Sequence, residues 1–160
     1  MSTVGVSFTA LPAHVRTARL VALAVARRAG VPDELLDEVR LAVGEACSRA
    51  VGINSEVAPD EPVTMLLSDD RSRFTVEVGD VGSLDGEDPT ASLDAGSIEA
   101  SLDAKTPDAD AEVGVEALPP GFGLAVISGL VEDVEVSNDG KGTHVRMAWP
   151  SSAPPPPAAG

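Results

Sequence analysis

The chain has 160 residues, 43% of them apolar and only 2% aromatic, with no Tyr and a single Trp. That length supports one domain with a real core of Val, Leu, Ala and Ile, but it supplies no stacking platform for single-stranded nucleic acid. A formal net charge of −15 repels nucleic acid and anionic membrane surfaces and favours a basic protein partner.

In chain order, Val4, Val6 and Phe8 alternate with small or polar residues, which predicts a short first strand. Pro12 suits the first turn of a helix through HVRTARLVALAVARRA, closed by Gly30, with Arg27 and Arg28 in the last turn where the macrodipole favours cations. A second helix begins at Asp33 and Glu34. Its apolar residues Leu35, Leu36, Val39, Ala42, Val43, Ala46 and Ala50 recur at helical spacing, and Gly52 is the expected end. Glu38, Glu45 and Arg49 fall off that stripe. The single cysteine, Cys47, lies on the apolar side as a buried, inert thiol, and it rules out an internal disulfide or a multi-Cys zinc site.

Two alternating runs, VTMLL at 63–67 and FTVEV at 74–78, form an antiparallel hairpin through the polar turn 68–72. From Gly79 to about Pro120 the pattern gives way to Asp, Gly, Ser and Ala. This reads as a long acidic loop, either a lid or a lineage-specific disordered insert. Gly121-Phe122-Gly123 then opens a short helix to about Leu130, and VEDVEVS and THVRMAW make a second hairpin. The expected architecture is one domain at 1–149, with a lid-like loop at about 83–120 and a disordered Pro/Ala-rich tail at 150–160. Its fold class is α/β, a two-layer sandwich of helices on a mainly antiparallel mixed sheet. The N-terminus lacks signal-peptide character and no run approaches the roughly 18 apolar residues of a membrane span, so the expected localisation is cytoplasmic. The strong preference for Arg over Lys points to a high-GC, actinobacterial type of genome.

Four short motifs follow one another: Glu45-Ala46-Cys47-Ser48-Arg49, Asp80-Val81-Gly82-Ser83-Leu84, Gly121-Phe122-Gly123-Leu124 and Gly142-Thr143. Each has a purely structural reading as helix surface, strand-end turn, helix entry or hairpin geometry. In this order and on these elements, the sequence resembles the Bergerat-fold (GHKL) ATPases, and within them the RsbW type of anti-sigma factor with protein-serine kinase activity. The resemblance runs from about Gly5 to Trp149.

That resemblance implies an ATP site. Asp80 would accept a hydrogen bond from the adenine amine, Gly82 would leave room for the base, and Thr143 would put a hydroxyl at the pocket floor. Gly121, Gly123 and Leu124 would begin a helix whose backbone N–H groups face the phosphates. Glu45 would be the general base toward a partner serine.

The chain also departs from the family pattern. Where the family has an Asn that ligates Mg²⁺, this sequence has Arg49, which carries only donors and a fixed positive charge. Leu84 replaces a glycine, Ile53 stands where many relatives carry a histidine, and Lys105 is the only cation of the lid segment. Three readings of the Glu45/Arg49 pair stay open: a solvated i,i+4 ion pair, an Arg49 that folds over Glu45 and plugs an emptied metal site, leaving a nucleotide-free domain, or an Arg49 that contacts phosphate in place of the metal. The family implies a sigma factor and an anti-anti-sigma (STAS-domain) protein as partners, and a homodimer. The leading expectation is an anti-sigma factor with weakened or lost ATP binding and doubtful Mg²⁺. The alternative is an active Mg-ATP-dependent serine kinase. His14 and His144 read as ordinary histidines.

Overall fold

Side chains alternate between a buried and an open face along five strands, and this alternation builds the sheet. In a computed structural model, which describes residues 2–82 and 122–152, these are β1 (Ser2–Phe8), β2 (Val63–Asp69), β3 (Arg73–Asp80), β4 (Asp133–Asn138) and β5 (Thr143–Pro150). Their spatial order is β1-β2-β3-β5-β4, and each of the four pairings is antiparallel. The mixed character expected of the sheet is therefore absent among the described residues.

Val63, Met65 and Leu67 of β2, Phe74, Val76 and Val78 of β3, and Val145, Met147 and Trp149 of β5 make the covered face. The opposite face carries Thr64, Leu66, Thr75, Glu77 and Arg146, with Leu66 exposed. Among the described residues, three helices lie on the covered face: α1 (Ala13–Ala29), α2 (Asp33–Val57) and α3 (Phe122–Leu130). The two-layer sandwich anticipated from the sequence is the observed fold.

Small residues let the helices approach. Ala18, Ala22, Ala26 and Ala29 of α1 are buried together with Ala42, Ala46 and Ala50 of α2. Gly30 ends α1 with φ 82°, its N–H donating to Arg27 O at 3.1 Å while the N–H of Val31 donates to Ala26 O at 3.0 Å. This is the paired-bond Gly cap expected there.

The second helix corrects the sequence reading. It does not stop at Gly52 but runs on to Val57. A glycine inside a helix costs about 1 kcal/mol relative to Ala, and burial beyond it offsets that. Val51 is buried and Asn54 is fully buried, its amide bonded to three backbone groups.

Candidate functional site

One end of the sheet gathers most of the motif residues. Asp80 closes β3 and pairs with Thr143, the first residue of β5. Glu45 and Arg49 lie one turn apart on α2, and both are buried. The solvated ion pair is thereby corrected: the helix face bearing these two residues is turned toward the strand end, so neither charge is left in water.

Arg49 Nη1 donates to Asp80 Oδ2 at 2.7 Å, with the two side chains 3% and 1% exposed. The other carboxylate oxygen, Oδ1, accepts the N–H of Gly82 at 2.7 Å. The carboxylate expected to read a base is thus held by a guanidinium on one side and by its own following turn on the other. A hydrogen bond between two ionised groups at this distance is of the strong, charge-assisted kind.

The segment after Asp80 is fixed by side chains from three elements. Asn54 Oδ1 accepts the N–H of Val81 at 2.9 Å, while its Nδ2 donates to Glu61 O at 3.1 Å and Pro62 O at 3.3 Å. Thr143 Oγ1 donates to Gly82 O at 3.1 Å and accepts from Asn138 Nδ2, also at 3.1 Å; Asn138 Nδ2 is 3.1 Å from Gly82 O as well. The hydroxyl assigned to a pocket floor is therefore engaged with backbone. Two glycines permit the close approach: a Cβ on Gly142 would stand 1.9 Å from Asp80 O, and one on Gly82 would stand 2.6 Å from Ile53 Cγ2. The space on that side of Gly82 is taken by Ile53.

Other motif residues fall elsewhere. Leu124 places its side chain in the core, in the first turns of α3. Gly123 belongs to the same helix, while Gly121, Leu84, Lys105 and the acidic loop lie outside the described residues. Asn54 and Asn138 lie outside the four motifs. Asn54 follows Gly52, the expected helix end, yet sits inside the helix, and Asn138 closes β4 ahead of Asp-Gly-Lys-Gly. The spacing of Asn138 from Gly142-Thr143 is the one signal that could have found it. Cys47 is fully buried as expected, and desolvation raises its thiol to about 12 against a smaller opposing influence from the charge of Arg19. His144 is partly exposed, between Glu77 at 3.4 Å and Asp139 at 3.3 Å.

A sheet covered on one face by helices, with a strand-end aspartate turned toward the long α2, is the framework of a nucleotide-binding ATPase sandwich. The chain belongs to the histidine kinase-like ATPase domain family, which matches residues 8–149. Among solved structures it is similar to the RsbU and RsbW domains of Rv1364c from Mycobacterium tuberculosis, with a TM-score of 0.60 and 13% identity. That match covers 92% of this chain and 32% of the other, so this chain spans about a third of the neighbour's length. No curated protein sequence matches the chain. Among the described residues, no helix is long and apolar enough to cross a membrane.

Proposed function

We propose that this chain is a regulatory binding protein, an anti-sigma factor of a bacterial partner-switching system in which ATP binding and kinase activity are weakened or lost. The carrying observation is the buried Arg49–Asp80 ion pair. In this reading Asp80 is the adenine-recognising carboxylate, and an adenine amine competes with the guanidinium for the same oxygen. Breaking a buried pair costs about 3–5 kcal/mol, which lowers affinity by roughly a hundred- to several-thousand-fold.

The donor set does not fit Mg²⁺ either. A guanidinium offers no lone pair to a hard cation, and the nearby amide oxygen, Asn54 Oδ1, already accepts the N–H of Val81. No phosphoryl-transfer step is therefore assigned to this site, although Glu45 is retained at the position of a general base.

Family membership and the fold likeness to a chain containing an RsbW domain support the partner-switching part of the reading. So does the net charge of −15, which suits a basic sigma-factor surface. The partners are then a sigma factor and a STAS-domain anti-anti-sigma protein, with the chain acting as a homodimer.

The test is calorimetric titration of ATP, with and without Mg²⁺, into the wild type and Arg49→Asn. Binding confined to the variant supports the reading. Tight Mg²⁺-dependent binding by the wild type overturns it and makes an active serine kinase the better account. Capture of neither a sigma factor nor a STAS-domain protein from the source cell's extract would remove the regulatory role.

A further inference from the structure

The strand ends opposite Asp80 and Thr143 frame a second concavity. Arg73 pairs with Pro150 and Asp133 with Ala148 in the sheet register, so this end lies seven residues of β3 away from Asp80, about 23 Å at the rise of a strand. A cavity of about 530 Å³ opens here, lined by Leu35 and Glu38 of α2, Arg73 of β3, Leu130 and Glu132 at the end of α3, and Trp149 of β5. That volume falls in the range of ligand-sized clefts.

The lining divides into two kinds of surface. Leu35, Leu130 and the Trp149 ring give an apolar floor, and Trp149 Nε1 is already satisfied by Glu38 Oε1 at 2.9 Å. The rim is acidic: among the described residues Glu38, Glu132 and Asp133 face a single cation, Arg73, which is itself ion-paired with Asp133. Negative charge in excess beside an apolar floor matches a side chain with an aliphatic stem and a cationic head.

We infer that this groove docks an Arg- or Lys-bearing apolar segment of a protein partner. The inference does not depend on the nucleotide reading, since no residue is shared between the two ends.

Trp149 is the only tryptophan of the chain, so its emission reports on the groove directly. The full chain is titrated at about 0.1 M salt, where the Debye length is about 10 Å, with acetyl-Leu-Arg-Leu-amide and with acetyl-Leu-Glu-Leu-amide. The cationic peptide is expected to change Trp149 emission saturably and the acidic one to leave it unchanged. Glu132→Lys, an exposed substitution, should weaken the cationic peptide by about tenfold, whereas Glu56→Lys, exposed near the far end of α2 and about 27 Å from Glu38 at the rise of a helix, should change it less than about twofold, because that distance exceeds the roughly 10 Å over which charge acts at 0.1 M salt. No saturable response, equal response to both peptides, or equal effects of the two substitutions overturns the inference. Binding seen only after truncation behind Ser152 would assign the groove to residues 153–160 of the chain itself, and would also overturn it.

Discussion

Replacing Arg49 by Met keeps the aliphatic length of the side chain and removes its charge, leaving the Asp80 carboxyl buried without its partner and with one oxygen still bonded to Gly82. With side chains 3% and 1% exposed and a 2.7 Å contact, the loss belongs to the class of broken buried pairs, about 3–5 kcal/mol. For a domain of this size that corresponds to a fall in Tm of about 6–20 °C. Urea unfolding followed by circular dichroism should show it as a lower midpoint at unchanged slope. Asp80→Asn keeps the acceptor for Gly82 but strands the guanidinium, and is expected to cost a similar amount. The double variant should recover about 2–3 kcal/mol relative to the sum of the singles. A loss below about 1 kcal/mol for Arg49→Met, or strict additivity in the cycle, would show that the pair holds nothing together.

Gly142→Ala should destabilise by about 2–3 kcal/mol or more, because its Cβ would stand 1.9 Å from the backbone oxygen of Asp80 and only backbone movement can relieve that; the same unfolding curves measure it. Asn54→Ala orphans the N–H of Val81 and loosens the 61–62 turn, so a loss of about 2–4 kcal/mol is expected, with faster hydrogen exchange at Val81. Cys47 should resist thiol reagents in the native state at neutral pH and react at once in urea. Its thiol rises from 9.0 to about 12 on folding, so the unfolded chain ionises first and stability should fall as pH climbs through that window. Cys47→Ala should flatten this part of the profile. Light scattering of the purified chain should give twice the monomer mass if the homodimer part of the proposal is right.

Local periodicity made most of the fold legible. Alternation in VTMLL and FTVEV gave β2 and β3 and their facing, and Arg27-Arg28-Ala29-Gly30 gave the end of α1. Gly52 misled because its cost in a helix is smaller than what the buried Asn54 returns from the next turn, a tertiary gain with no local signature. The site was legible as a set of residues but not as a set of bonds. Nothing in the spacing of Arg49 and Asp80, 31 positions apart, says that the guanidinium reaches the carboxylate, because that follows from the way α2 crosses the sheet. The bonding of Asn54 and Asn138 has no local signature for a related reason, since both satisfy backbone groups distant in sequence.

The strand order also bears on how the chain comes off the ribosome. β5 lies between β3 and β4, yet it follows both of them along the chain. Until Thr143–Pro150 has emerged, β4 lacks its neighbour among the described strands and the apolar side chains of β3 border an open edge, a state prone to self-association. Pairing partners separated this far in sequence also make for slow folding. Nascent chains stalled before residue 143 should therefore be captured by chaperones, and those extended well past residue 150 should not.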